Sequence, residues 1–328
     1  IHMIAQRNFL QGLFLLATTT LLLACEKEIS VDLPKTDPRI VVEGTIEAGM
    51  PPIVILTRTQ GYFDPTDLNS IAASFVTEAT VTVNDGTTTH TLDRVCSGEL
   101  TEEQIELISS LTGLDVDLLT NANICAWTKL TLSGTPGTTY QLNIQTEGKT
   151  LSATTTIPQP VQLDSLWFKL ALQQPNDDSL GFIWARLSDP DTIGNGYRWL
   201  AKRINAGPDG GPKDDSFVAP FFSVFEDRFV NGLTFDFNFN RGSQPFSEAE
   251  DDNNEESGYF KRGDTVVVKL VSLDLASYRF YNSFQNNVAS QGDVFSNPAN
   301  VISNIQGGLG LWSGWGVNPV LDTVVCQP

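Results

Sequence analysis

Residues 140–157, YQLNIQTEGKTLSATTTI, contain the pattern that decides the fold class of this chain. Apolar and polar side chains alternate on both sides of Glu147 and Gly148, and a period of two is typical of half-buried β-strands. A glycine-containing turn between two such runs is typical of a β-hairpin. The stretch therefore predicts a hairpin formed by residues 140–146 and 151–157.

The same alternation recurs towards the N-terminus. Strands are predicted at residues 40–46, 53–57, 79–83 and 87–92, and the last two are joined by a turn at Asn84, Asp85 and Gly86. Short strands with regularly spaced turns predict an immunoglobulin-like β-sandwich over residues 39–158. Pro158 and Pro160 then mark a domain boundary, because prolines are frequent in the linkers between domains.

Residues 161–328 are predicted to form a second, larger β domain with one packed helix. Its strands are expected at residues 165–172, 180–187, 197–204, 217–225, 233–239 and 265–273. Asp274 is a suitable helix N-cap, and Tyr281, Phe284 and Val288 lie on one stripe of the helix that follows. We also expect four aromatic side chains to belong to the core, and these are Phe221, Phe222, Phe225 and Phe229. The whole chain is therefore predicted to be mainly β.

A short helical insert is predicted within the sandwich. Thr101 and Gln104 match a capping box, and apolar side chains then repeat on one helical face. Cys96 and Cys125 flank this segment, and disulfides persist in compartments outside the cytosol. We therefore expect these two cysteines to form a disulfide that closes the insert at residues 96–125.

The N-terminus has the features of a secretory signal for a lipoprotein. Arg7 precedes a long apolar run, as in the charged and apolar regions of a signal peptide. The run ends in LLAC at residues 22–25, the lipobox pattern that the lipoprotein-specific peptidase cuts before the cysteine. We predict a signal peptide at residues 1–24, lipidation of Cys25 and a polar tether at residues 25–38. Several acyl chains would anchor the protein to a membrane, which one chain does only weakly.

The composition indicates a secreted, globular and acidic protein. With 20 Lys and Arg against 39 Asp and Glu, the formal net charge is −19. Nucleic acid is a poor partner, because phosphate binding needs clustered basic side chains. The acidic run at residues 248–256 lacks the spacing of a calcium loop, and we interpret it as a solvated loop. Cys326 is expected to be a free thiol once the other cysteines are assigned.

The sequence contains no recognisable catalytic, metal or cofactor site. His90 is the only histidine after the predicted cleavage point, and its neighbours lack the spacing of a zinc site or a catalytic triad. Ser313 lacks the flanking glycines of a nucleophile elbow. Residues 307–310, GGLG, lack the lysine of a phosphate loop, and we interpret them as a turn or bulge that packs Trp312 and Trp315 against a sheet.

Several segments resemble one protein family. They are the lipobox, VVEG at residues 41–44, YFKRGDTV at residues 259–266, SLD at residues 272–274 and PANVISNIQGGLGLW at residues 298–312. Together they are similar to the Bacteroidota lipoproteins classed as domain of unknown function 4249, over nearly the whole mature chain. The resemblance implies no established activity. It implies a setting, since members of that family commonly occur beside TonB-dependent outer-membrane receptors.

The expected function follows from that setting. Glu26, Lys27 and Glu28 resemble the short acidic export signals that send such lipoproteins to the cell surface. We expect a lipid-anchored outer-membrane protein that faces the cell exterior and serves as an accessory ligand-binding or lid partner of a TonB-dependent receptor barrel. Its ligand, a small molecule or a peptide, is not identified by the sequence. A hydrolase that uses a pair of carboxylates and a purely structural envelope lipoprotein stay open as alternatives.

Overall fold

The structure is a computed structural model, and it describes residues 37–61, 67–112, 116–172, 178–207, 210–242, 256, 258–290 and 300–327. The predicted signal peptide, the lipidation site Cys25, the export signal at Glu26, Lys27 and Glu28, most of the tether and most of the acidic run lie outside the described residues. Within them, the fold is mainly β, as predicted. No helix among these residues is long and apolar enough to span a bilayer.

Most predicted strands fall on observed elements. The strands are β1 Ile40–Glu47, β2 Ile53–Arg58, β3 Thr80–Asn84, β4 Thr89–Thr91, β5 Asp93–Cys96, β6 Cys125–Thr128, β7 Thr139–Thr146, β8 Lys149–Thr156, β9 Ser165–Leu170, β10 Leu180–Ser188, β11 Gly196–Arg203, β12 Val224–Glu226, β13 Thr234–Phe239, β14 Phe260–Lys261, β15 Thr265–Leu273, β16 Leu309–Gly316 and β17 Asp322–Val325. The helices are α1 Leu68–Ser74, α2 Glu102–Thr112, α3 Val116–Asn121 and α4 Leu275–Ala289.

One sheet of nine strands runs through the molecule. Its order is β12-β11-β15-β16-β1-β2-β6-β5, and β17 pairs with β15. Strand β16, from the C-terminal end, lies parallel to β1, so that Val41 pairs with Leu309 and Glu47 pairs with Trp315. The large sheet therefore contains strands from both sides of the predicted domain boundary.

Two smaller sheets cover one face of the large sheet and form two cores with it. The sheet β4-β3-β7-β8 encloses the first core, which includes Val42, Ile46, Trp127, Leu142 and Trp312. The sheet of β9, β10, β13 and β14 encloses the second core, which includes Phe168, Ile183, Trp199 and Val266. The predicted packing of β-sheets into a sandwich is confirmed, and the bounds of the sandwich at residues 39–158 stay a prediction. The domain boundary at Pro158 and Pro160 stays a prediction. Ile305 and Trp312 follow that boundary in the sequence, yet both belong to the first core.

The glycine segment allows β16 to approach β1 closely. Gly310 has a φ of +102°, and a Cβ atom there would lie 2.0 Å from the carbonyl oxygen of Val42. On the other edge of β16, the Asn304 side chain acts as a strand partner. Its Nδ2 donates to Trp312 O at 2.7 Å, and its Oδ1 accepts from Trp312 N at 2.9 Å. The predicted turn is found at Gly307, which has a φ of +80°. Residues from Leu309 onward differ from the prediction, because they form a strand within the large sheet, so that Trp312 enters the first core and Trp315 lies on the opposite face.

The insert is built as predicted. Thr101 N donates to Gln104 Oε1 at 2.9 Å, and Gln104 N donates to Thr101 Oγ1 at 3.4 Å, which is the geometry of a capping box. Cys96 and Cys125 form the predicted disulfide as directly paired residues of β5 and β6. The insert has a small core of its own, which includes Ile105, Leu119, Ala122 and Ile124.

The aromatic stretch before β12 differs from the prediction. Phe225 packs against the second core, whereas Phe221, Phe222 and Phe229 are 62%, 54% and 85% exposed. The predicted strand at residues 217–225 is shortened because the chain turns after Pro220, where Phe222 has a φ of +59°. The turn directs two of these side chains into solvent, so the expectation that all four belong to the core was wrong.

Candidate functional site

The candidate site lies on the face of the large sheet that the smaller sheets leave uncovered. In β11, alternation directs Tyr197 and Trp199 into the second core and Arg198 to the opposite face. Helix α4 packs on that opposite face, where Ser313 Oγ of β16 donates to Ser277 Oγ at 2.8 Å. The helix therefore places its side chains beside Arg198.

Helix α4 begins at the predicted cap, but its packed side differs from the predicted stripe. Asp274 Oδ1 accepts from Ser277 N at 2.8 Å. Ser277 and Gln285 are buried, whereas Phe284 is 46% exposed and stacks on Phe280. Tyr281 lies one turn after Ser277 and one turn before Gln285, so it faces the sheet.

The guanidinium of Arg198 is held between two aromatic rings. Its Cζ lies 4.0 Å from the centroid of the Tyr281 ring and 5.6 Å from that of Trp315. Arg198 Nε and Trp315 Nε1 are buried, and neither has a hydrogen-bond partner among the described residues. Both groups are donors only, and an unpaired buried donor costs about 1–3 kcal/mol. The site thus contains donors whose hydrogen-bonding capacity is unused.

Glu43 adds an acid to these donors. It lies on β1, between Leu311 of β16 and Ile55 of β2, on the same face as Trp315. Its side chain reaches solvent, yet burial by the surrounding protein raises the pKa of Glu43, and the charge of Arg198 partly opposes that rise. Glu43 therefore combines an accessible carboxylate with a raised pKa.

The charged groups of Glu43 and Arg198 interact without forming an ion pair. Their atoms are not within 4.0 Å of each other, and the carboxylate has no hydrogen bond or ion pair within the described part of the chain. We call Glu43, Arg198, Tyr281 and Trp315 the Arg198 site.

The pKa of Tyr281 reflects how closely the groups of the Arg198 site are packed. Burial raises the pKa of Tyr281, the charge of Arg198 opposes the rise, and the charge of Glu43 adds to it. Arg198 and Trp315 also lower the pKa of Tyr281, because their donors lie close to its hydroxyl. The positions of Arg198 Nε and Trp315 Nε1 nevertheless do not meet the geometry of a hydrogen bond. The Tyr281 hydroxyl is therefore neutral and close to both donors.

A neighbouring pair on the same face shows the alternative arrangement. Lys269 Nζ lies 3.1 Å from Glu47 Oε2, and it also lies 4.9 Å from the centroid of the Phe217 ring. This pair satisfies both of its charges internally. The unpaired state of Glu43 and Arg198 is therefore a particular property of the Arg198 site and not of the whole face.

A second cluster of charges is structural. Arg203 Nη2 lies 2.7 Å from Asp214 Oδ1, and Arg203 Nη1 lies 3.0 Å from Glu256 Oε2. Lys213 Nζ lies 2.8 Å from Asp264 Oδ1. These bonds join the end of β11 to the segment after it and to the turn before β15. Their donors and acceptors satisfy one another, so the cluster leaves little capacity for a ligand.

The other residues singled out in the sequence have structural surroundings. His90 Nε2 lies 3.0 Å from Asp85 Oδ2 in a hairpin turn, and hydrogen bonds from Thr88, His90 and Thr87 lower the pKa of Asp85. Cys326 is a free, buried thiol, and burial raises its pKa to about 12. Among the described residues, no group of three or more His, Cys, Asp or Glu side chains could hold a metal ion.

Sequence reasoning alone did not find the Arg198 site. In the sequence, Glu43 belongs to a family motif and Tyr281 to a predicted helical stripe. One signal was present, because Glu43 and Arg198 are charged residues that are each next to an apolar or aromatic residue of the cores. Such residues often mark a functional face, but the pattern does not say that two distant strands bring them together.

One comparison with known proteins identifies the family. The family model described as Domain of unknown function (DUF4249) matches residues 26–318 of the chain. None of the curated proteins gives a significant match. The matched range covers β1, β11, α4 and β16, and thus all four residues of the Arg198 site. The chain belongs to the DUF4249 family.

Proposed function

We propose that the protein is a lipid-anchored binding protein of the outer membrane, which holds a small ligand in the Arg198 site and acts as an accessory or lid partner of a TonB-dependent receptor barrel. One observation supports the binding role. The stacked guanidinium of Arg198 has an unpaired Nε, and it lies near a carboxylate that is also unpaired among the described residues. Polar groups that are fixed by packing and have unused bonding capacity are what a ligand site requires.

A carboxylate hydrolase receives less support from the same site. Such an enzyme needs two carboxyl groups that face each other across a cleft, about 5–9.5 Å apart. Glu43 is a candidate acid because burial raises its pKa. The other acid on this part of β1, Glu47, is occupied by its ion pair with Lys269. We therefore favour binding over hydrolysis as the role of the Arg198 site.

The membrane part of the proposal rests on the N-terminal sequence and on the family setting. Cys25 follows a lipobox, and Glu26, Lys27 and Glu28 resemble a surface-export signal. The acidic net charge of −19 suits a soluble body held beside a membrane by lipid alone. A lipid tether would also raise the local concentration of the body at a receptor barrel.

The binding role can be tested with protein purified from its native membrane. Native mass spectrometry in mild detergent should detect a co-purifying small molecule on the wild-type protein. Arg198→Met should lose that molecule, because the guanidinium is removed while an unbranched apolar stem is kept. Arg186→Met is the matched control, since Arg186 is a surface arginine bound to Asp236 at 2.7 Å. Retention of the molecule by Arg198→Met would contradict the assignment of the site.

The anchor can be tested by Cys25→Ser. This variant should leave the body folded and release it from the membrane, because all anchoring is assigned to lipid. A variant that still fractionates with the outer membrane after a high-salt wash would show another attachment. Protease added to intact cells should degrade the wild-type body, and protection until the outer membrane is broken would place it in the periplasm.

The receptor partnership needs a separate experiment. A tagged copy at native abundance, solubilised in mild detergent, should co-elute with a receptor barrel. A clean monomer with no barrel even after crosslinking would remove the transport role. The binding role of the Arg198 site would survive that result, because it is tested on the isolated protein.

A further inference from the structure

The charges of the Arg198 site suggest what kind of ligand it binds. Glu43 and Arg198 have opposite charges and are not paired with each other, although Glu47 and Lys269 form an ion pair on the same face. Partly desolvated charges without a partner are unfavourable. A ligand that brings a cation to Glu43 and an anion to Arg198 would satisfy both groups.

The aromatic rings of the site support the same class of ligand. The guanidinium already occupies positions over the Tyr281 and Trp315 rings, so these faces are not free for stacking by a neutral sugar. A planar carboxylate matches the donor fork of an arginine that is held in place by such stacking. The Trp315 Nε1 donor is unpaired within the described residues and adds a second group that needs an acceptor.

We propose that the Arg198 site binds a zwitterion, an amino acid or a short peptide, whose carboxylate accepts hydrogen bonds from Arg198 and whose ammonium group donates to Glu43. This inference rests on the proposed function, since it requires that the Arg198 site bind a ligand. It goes further by naming the chemical class. A neutral ligand would leave both charges without a counter-charge, and a simple organic acid would leave Glu43 unpaired.

Calorimetric titration with three probes tests this inference on the full mature protein. The probes are the dipeptide Ala-Ala, its N-acetylated form and its C-terminal amide. The wild-type protein should bind Ala-Ala at least about tenfold more tightly than either capped form, which corresponds to about 1.4 kcal/mol for each lost charge interaction. Arg198→Met should bind all three probes weakly, and Arg186→Met should behave like the wild type.

Glu43→Gln separates the two halves of the inference. This variant keeps the shape of the side chain and should bind the free and N-acetylated dipeptides equally, while it still prefers the free carboxylate over the amide. Thermal unfolding of each variant would show that it is folded. Because Glu43→Gln is a conservative change at an accessible side chain, the test stays decisive even if Arg198→Met fails to fold.

The outcomes distinguish this inference from the proposed function. If a co-purified molecule depends on Arg198 but Ala-Ala does not bind more tightly than its capped forms, the zwitterion inference is wrong and the binding role stands. If wild-type protein prefers the free carboxylate but ignores acetylation, the role given to Glu43 is wrong. If neither the co-purified molecule nor any probe depends on Arg198, both proposals fail.

Discussion

At the scale of single residues, the contact between β16 and β1 gives a sharp stability prediction. Gly310→Ala should cost at least about 3 kcal/mol of unfolding free energy, because the new Cβ would overlap backbone that cannot move aside. The site of overlap is the carbonyl oxygen of Val42, 2.0 Å from the ideal Cβ position. Urea unfolding followed by circular dichroism would measure the loss.

Gly86→Ala is the matched control for this change. Gly86 also has a positive φ, +93°, but nothing lies within 4 Å of its ideal Cβ position. Its substitution should therefore cost only the conformational strain, about 1 kcal/mol. Equal losses for the two variants would show that backbone conformation, and not the close approach of the strands, makes glycine necessary at position 310.

Glu43 gives a pH-dependent prediction. Burial raises the folded-state pKa of Glu43 above 4.5, so folding favours the protonated form of this side chain. Its contribution to the free energy of unfolding is complete at a pH below 4.5 and is lost as the pH rises through the raised pKa. Glu43→Gln should therefore raise the melting temperature of the ligand-free protein at neutral pH and leave it nearly unchanged below pH 4.5. Arg198 and Tyr281 are the groups whose charges interact with Glu43, and burial raises the pKa of Tyr281, so its hydroxyl stays neutral in this range. A gain of the same size at both pH values would contradict the desolvation of Glu43.

Single-residue reasoning from the sequence reached only part of this picture. Alternation in β1 and β11 is sufficient to place Glu43 and Arg198 away from the cores. Their meeting depends on β15 and β16 lying between the two strands, and on α4 supplying Tyr281. Those arrangements arise from long-range pairing, which a local pattern does not contain.

At the scale of elements, Asp274 connects α4 to the rest of the fold. One carboxylate oxygen caps the helix, and the other accepts from Thr155 Oγ1 at 2.7 Å on β8. Asp274→Ala should cost about 2–3 kcal/mol, because it removes a cap and a partly buried link together. Asp67→Ala is the control, since Asp67 caps α1 through Ser70 N alone and should cost about 1 kcal/mol. Equal losses in denaturant unfolding would mean that the link to β8 contributes nothing.

The disulfide gives a second prediction at this scale. Replacing both Cys96 and Cys125 by alanine opens a loop whose ends are 29 residues apart in sequence. The chain-entropy model gives a loss of about 3.6 kcal/mol for a loop of this length. The loss should match that produced by reducing the wild-type protein under the same conditions. Peptide mapping without reduction should recover the two cysteines joined, and two alkylatable thiols would contradict the bond.

Elements with local signals were predictable, and elements governed by distant contacts were not. The capping box of α2 and the hairpin of β7 and β8 need only neighbouring residues, and both are found where the sequence indicates them. The segment from Phe217 to Phe225 has the composition of a strand, but the turn after Pro220 interrupts it. Composition alone could not reveal that Phe221 and Phe222 project into solvent.

At the scale of the whole molecule, the two segments on either side of Pro158 should depend on each other. Residues 39–158 expressed alone lack β16, so β1 would lose its parallel partner and the first core would lose Trp312. We expect this fragment to bind hydrophobic dyes and to lack a cooperative unfolding transition. Fusion of residues 300–317 through a flexible linker should restore cooperative unfolding. A fragment that unfolds cooperatively without β16 would show that residues 39–158 form an independent domain.

The pairing of β1 with β16 affects the order in which the strands of the large sheet can form. All the other strands of the described residues except β17 lie between β1 and its neighbour β16 in the sequence, so the middle of the large sheet stays open until β16 has been made. Pairings between such distant segments form slowly. A precursor that carries the proposed signal peptide must pass through a translocation channel unfolded. On that proposal, the position of β16 in the sequence would delay closure of the large sheet until β16 itself has left the channel.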